Sequence, residues 1–241
     1  MSKRIVILML LNAVVVSVSY AQNGRRSSDK SSGPPPLPKD FLYDDDGGST
    51  QVVLPDFSND WNMRDHGGPV VHKPLQNSIF LGSVWAEPAL RARELKLSDL
   101  SADAPDLDRA RLAKFGVYLQ AGAFDVDEDF SDDAFTVFGG NKSTNDLQIQ
   151  RHLAQMLARG ALPIPHSGTI YVVYLPPGVQ SALEGRGAGK DYVAYHNFFY
   201  SSLGLVRYAV VPFEADSERA HAIAWRAWAE TALNPTGQGW Y

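Results

Sequence analysis

The side chains able to do chemistry in this 241-residue chain are few, and their types limit what that chemistry can be. Cysteine is absent, which removes thiol nucleophiles, Cys-ligated zinc and iron–sulfur clusters. The six histidines are scattered along the chain. His66 and His72 flank Gly67-Gly68-Pro69-Val70-Val71, a loop that can present two imidazoles to a metal, but no carboxylate or third histidine stands at a recognisable spacing. His196 lies between Tyr195 and Asn197 at the end of a predicted strand, where it either orients a ligand or satisfies a buried carbonyl. His152 and His166 have no partner groups in the sequence. A Ser–His–Asp hydrolase finds no Gly-x-Ser-x-Gly elbow to support it. Gly185, Gly187 and Gly189 alternate with no helix after them, so they do not make a phosphate-binding Gly-x-Gly-x-x-Gly turn. Asp44-Asp45-Asp46 lacks the spaced oxygen ligands and closing glutamate of a calcium loop and reads as a solvated charge run.

Arg226 and Glu230 form one further spaced pair. They sit four apart on a predicted helix over 217–233, which puts them on one face within reach of an ion pair. A guanidinium does not deprotonate in practice, so Arg226 offers Glu230 a permanent positive charge. Ala220, Ile223, Ala224, Ala227, Trp228 and Thr231 make the core-facing stripe of the same helix. Asp216 or Ser217 serves as its N-cap, and Asn234-Pro235 stops it.

The elements that must position these groups follow from the hydrophobic pattern. Residues 78–85 are apolar, aromatic and β-branched, the composition of a strand. Helices are predicted over 88–95 and 107–115, with a short strand at 117–119. The acidic, Gly-rich stretch 121–145 predicts an exposed loop. Asp146 then caps an amphipathic helix whose Leu147, Ile149, Leu153, Met156 and Leu157 share a stripe, and Gly160 ends it. The continuous apolar run 169–175, stopped by Pro176-Pro177-Gly178, suits a central strand covered on both faces. Residues 183–190 predict a loop, and 192–195 and 206–212 two more strands. That order gives one α/β or α+β domain with a mixed central sheet and a C-terminal helix.

The amino-terminal composition bears on where the domain works. Lys3 and Arg4 precede an apolar run over 5–18, and Ser19-Tyr20-Ala21 places small residues at the positions a signal peptidase reads. Residues 1–21 are therefore expected to be a signal peptide, 22–51 a low-complexity tether, and 52–241 a single globular domain, exported to a periplasm or the extracellular space. Loss of Lys3 and Arg4 takes the formal net charge from −5 to −7, a balance that argues against nucleic acid and anionic membrane surfaces. No later stretch is long and apolar enough to span a bilayer.

Four segments carry a resemblance: Gly67-Gly68-Pro69-Val70 before the strand ending in Trp85; 171–178; Tyr195-His196-Asn197; and 208–212 followed by the terminal helix and Asn234-Pro235-Thr236-Gly237-Gln238-Gly239-Trp240-Tyr241. Together, over roughly 67–241, they resemble a family of exported bacterial proteins distantly similar to the plant Exordium (phosphate-induced) proteins. The resemblance implies a zincin-like, metalloprotease-like domain. Bacterial members typically carry Ser-His-Glu-Leu-Ala-Glu-Ala on the terminal helix, where His and the second Glu bind zinc and the first Glu serves as general base. Aligned from Asn234-Pro235, the His position is Arg226, the first Glu is Ala227 and the second is Glu230. Metal ligand and base are both missing, and no cofactor is expected.

The expectation is thus a pseudoenzyme that binds a protein or a cell-surface polymer, through Tyr195, His196, Asn197 and Trp240. Two alternatives stand beside it. One is an active zinc-dependent hydrolase whose ligands are unidentified, with His66, His72, His196 and Glu230 as candidates. The other is an exported structural or assembly protein acting through the tether.

Overall fold

The computed structural model describes residues 50–53, 64–120, 123–128, 136–138, 141–183 and 186–239. The expected signal peptide, nearly all of the tether, the Asp44–Asp46 run and Trp240 lie outside the described residues. The elements are β1 (Gln51–Val53), β2 (Leu75–Leu81), α1 (Pro88–Ser98), α2 (Asp106–Lys114), β3 (Ala123–Glu128), β4 (Thr136–Phe138), β5 (Asn141–Asn145), α3 (Asp146–Ala158), β6 (Thr169–Tyr174), β7 (Val179–Leu183), β8 (Arg186–Gly187), β9 (Ala194–Ser201), β10 (Gly204–Val211) and α4 (Ser217–Leu233). The chain is α+β, with a mixed main sheet in the order β1-β9-β10-β6-β2-β3 and a second sheet ordered β4-β5-β7-β8.

β6 is the central strand its apolar run predicts. It pairs in parallel with β10 on one side and β2 on the other, and all six of its residues are buried. Alternation along it divides the core in two. Ile170, Val172 and Tyr174 pack in the cluster with α4, Leu97 and Leu112, whereas Tyr171 and Val173 pack in the cluster with α3. The main sheet is therefore sandwiched between α1, α2 and α4 on one face and α3 on the other.

Several predicted elements are corrected. The strand expected over 78–85 runs from Leu75 to Leu81, and Trp85 belongs to a 3-10 turn over Ser83–Ala86. Gly82, with φ of 92°, breaks the extended run there because that conformation disfavours a side chain. Residues 117–119 form no strand, although the Tyr118 N–H donates to the His72 carbonyl at 2.7 Å. The stretch expected to be a loop contains β3, β4 and β5. In β3, Phe124-Asp125-Val126-Asp127 alternates apolar and acidic residues, and the strand occupies the edge of the main sheet, where that alternation is at home. Residues 179–187 hold β7 and β8. β9 starts at Ala194 and turns directly into β10, with Ser201 paired to Gly204. The helix over 146–158 is capped by Asn145, not Asp146. The Asn145 side chain accepts from the Gln148 N–H and the Gln148 side chain accepts from the Asn145 N–H, a reciprocal capping box. α4 has the predicted bounds, with the Asp216 carboxylate accepting from the Arg219 N–H at 2.7 Å.

Candidate functional site

α4 is buried on nearly every face, with ten of its residues in the core. Two neighbouring positions on it behave differently. Ala227 is fully buried, so a carboxylate at that position would lack a route to water. The Arg226 Nε–H donates to Glu230 Oε1 across one helical turn, with the two side chains only 14% and 16% exposed. The ion pair that the spacing allows is formed, and it is half-buried rather than on a solvated surface. Burial pushes the Glu230 carboxyl above its usual range, while the Arg226 charge and hydrogen bond pull it back down.

Arg226→Ala tests that balance. Losing the guanidinium leaves a poorly hydrated carboxylate, so a cost of about 1–2 kcal/mol is expected at neutral pH. The raised Glu230 value means that protons bind the folded state more tightly. Its contribution is present below the ordinary 4.5 and is lost as pH rises through the folded value, a window that moves further up in the variant. The deficit of Arg226→Ala relative to the parent should accordingly shrink on acidification from pH 7 towards 5 in urea titrations. Unchanged stability at both pH values would show that the pair holds nothing.

The remaining sequence-predicted residues do not gather around this pair. His66 and His72 are exposed, the second with Nδ1 2.8 Å from the Gly116 carbonyl oxygen. His196 is buried in β9, opposite Ala209 and on the same face as Ala194, both of which pack in the α4 cluster. Burial lowers its imidazole to a pKa of about 3, so the ring is neutral at physiological pH. Among the described residues, no group of three or more His, Asp or Glu is placed to hold a metal ion.

Tyr195 and Asn197 occupy the other face of β9, and there they join a polar cluster that sequence reasoning missed. At its centre is Asp146, the first residue of α3, whose side chain is turned inward and 4% exposed. Its Oδ1 accepts from the Tyr208 hydroxyl at 2.7 Å. Its Oδ2 accepts from Gln150 Nε2 at 2.9 Å and Asn197 Nδ2 at 3.0 Å. The start of a helix favours a negative charge, so the carboxylate gains from its position as well as its donors. Burial first, and then the Asp146 charge, raises the Tyr195 and Tyr208 hydroxyls well above their ordinary value, so both stay protonated. Tyr192, pushed up to about 12 mainly by burial, donates to Ser181 Oγ at 3.0 Å. Asn197 also donates to the Thr50 hydroxyl at 3.1 Å, which ties the start of β1 to α3.

A pocket of about 130 Å³ opens above this cluster, lined among others by Thr50, Asn145, Asp146, Leu147, Leu183 and Arg186. The signal in the sequence was present but was read one residue out of place. Asn145-x-x-Gln148 is a capping box, and placing the cap at Asn145 frees Asp146 to face the core.

No protein-family model, no curated protein and no solved structure matches this chain.

Proposed function

We propose that this chain is an exported, non-catalytic binding protein on a metalloprotease-like frame, in which Arg226 stands where a metal-binding histidine would. The observation that supports this reading is the half-buried Arg226–Glu230 pair. The one acidic residue left from the resembled motif is already engaged by a permanent cation. A zinc ion seated beside Glu230 would have to displace that guanidinium or sit against it, and the like charges oppose both. Ala227 supplies no proton acceptor, so the same helix turn also lacks a base for a bound water. The domain then works by recognition, of a protein or of a cell-surface polymer.

Elemental analysis of the purified full chain tests the reading. Zinc near zero per chain, unchanged after incubation with zinc and desalting, is the expected result. A stoichiometry near one that falls in Glu230→Gln would overturn it and establish a metal site on α4. Loss of binding or assembly on deleting 22–49, with the folded domain intact, would instead favour an assembly protein acting through its tether.

A further inference from the structure

We propose that residues 40–46, Asp-Phe-Leu-Tyr-Asp-Asp-Asp, dock on the end of the main sheet made by the β9–β10 hairpin and the loop before β6. The tether is then a clasp on its own domain as well as a spacer, and a partner reaches this surface by displacing it. The proposal stands apart from the question of metal on α4, and its test does not involve that helix.

The chemistry of the surface comes first. Tyr200, Leu203 and Ile164 are 60%, 41% and 65% exposed, large apolar side chains that the fold leaves in water. A Cβ at Gly204 would lie 3.8 Å from Pro165 Cγ, so the loop carrying Ile164 sits against the hairpin turn. Arg207 belongs to the same end, opposite Phe198 and on the sheet face that also carries Tyr200. It is half-buried, its Nε has no partner, and its Nη1 donates to the His166 carbonyl oxygen at 3.4 Å. No ion pair engages it among the described residues. Burial lowers the guanidinium from its usual pKa, and Tyr200 beside it opposes that fall. An apolar patch around a poorly hydrated cation suits an occupant that is both aromatic and acidic.

The register of β1 determines which segment arrives there. β1 runs antiparallel to β9 with Gln51 opposite His196, and Asn197 Nδ2 holds the Thr50 hydroxyl at 3.1 Å. Moving back along the chain from Gln51 therefore means moving forward along β9, towards Ser201 and the turn. Five residues back from Gln51 is Asp46, and five on from His196 is Ser201. At about 3.4 Å per residue that distance is about 17 Å, so an extended chain delivers 40–46 to the hairpin end. β9 has room for it. Among the described residues its pairing with β1 stops at His196, and the Phe198 N–H donates to Asn197 Oδ1 at 2.8 Å. Composition agrees with the address. Phe41-Leu42-Tyr43 is the only run of large apolar residues between 22 and 49, and Asp44-Asp45-Asp46 the only acidic run. The first matches Tyr200, Leu203 and Ile164, and the second gives Arg207 the opposite charge that it lacks.

A chain without cysteine makes disulfide trapping a clean test. In the full chain, Ser202→Cys in the exposed turn is combined with Lys39→Cys, next to the segment, or with Lys30→Cys, further out. The rate of disulfide formation on oxidation with diamide is then followed by non-reducing mass spectrometry. Lys39 and Lys30 lie 12 and 21 residues back from Gln51. An undocked chain closes the shorter loop only about twofold faster, by the −3/2 power of length. Docking should raise that ratio to about tenfold or more. Asp44→Ser, Asp45→Ser and Asp46→Ser together, or Tyr200→Ser alone, should return it to about twofold. Both changes lie outside the core, so the thermal midpoint stays in place. A ratio of about two before these changes, a raised ratio that survives both of them, or a disulfide that joins two chains would each overturn the proposal, the last in favour of a second copy as the occupant.

Discussion

Asp146→Ala is expected to cost about 3–5 kcal/mol of folding stability, seen as a lower urea midpoint at unchanged slope. The size of the effect comes from what is left behind. Three donors converge on this carboxylate, from Tyr208, Gln150 and Asn197, and all three side chains are buried. Removing the acceptor leaves the Tyr208 O–H with none, at about 1–3 kcal/mol, and takes a charge-assisted bond each from Gln150, which still donates to the Tyr208 hydroxyl at 2.9 Å, and from Asn197, which still donates to Thr50 at 3.1 Å. Asp146→Asn should be nearly as damaging. It preserves shape but sets an amide N–H₂ against groups that are themselves donating. Tyr208→Phe, by contrast, removes one donor and leaves the carboxylate with two others, so about 1 kcal/mol is expected. The ranking of the three variants carries the argument. Asp146→Ala costing less than Tyr208→Phe would show that the cluster is not organised around the acid.

Much of this architecture was legible where one physical signal dominated. The run over 169–175 has no polar residue after Thr169, and only a strand covered on both faces accommodates that. α4 was legible from its cap, its stripe and the Asn234-Pro235 stop, and so was the ion pair it carries. The failures have two causes. β3 was hidden because the acidic, Gly-rich stretch around it was weighed for composition while Phe124-Asp125-Val126-Asp127 alternates within it, and β4 and β5, Thr-Val-Phe and Asn-Lys-Ser-Thr-Asn, are too short or too polar to show an apolar period of two. The Asp146 cluster draws on β9, β10, α3 and the residue before β1. Its members lie up to 147 positions apart in the chain, as Thr50 and Asn197 do, so no local spacing rule can assemble them. Tyr195, His196 and Asn197 were singled out together from the sequence, yet His196 faces the opposite side of the sheet from the other two, as a period of two requires.

Gly68→Ala is expected to destabilise the domain by about 3 kcal/mol or more, whereas Gly67→Ala next to it should cost only about 1 kcal/mol. The two glycines are alike in chemistry but not in circumstance. Gly67 has φ of +79° and open space around the position of a Cβ, so its substitution meets backbone strain alone. A Cβ at Gly68 would lie 1.9 Å from the Gln238 carbonyl oxygen, 2.1 Å from its carbon and 2.6 Å from the Gly239 nitrogen. All three atoms are main chain, so no rotamer change relieves the clash and the two segments must separate. Separation breaks more than one contact. The His66 N–H donates to the Gly239 carbonyl at 3.1 Å, and the Val71 N–H donates to the Ala232 carbonyl at 2.8 Å, satisfying one of the last carbonyls of α4. The Gly239 N–H is held in turn by Asn234 Oδ1 at 2.7 Å. Residues 67–70 and 234–239 are therefore interlocked at the end of the helix bearing Arg226 and Glu230. Hydrogen exchange gives the discriminating readout. In Gly68→Ala the Val71 and Gly239 amides should lose protection before those of β6 do, because the junction opens while the central sheet stays closed. A Gly68→Ala variant no less stable than Gly67→Ala would mean that the two segments are not packed this closely, and the interlock would have to be abandoned.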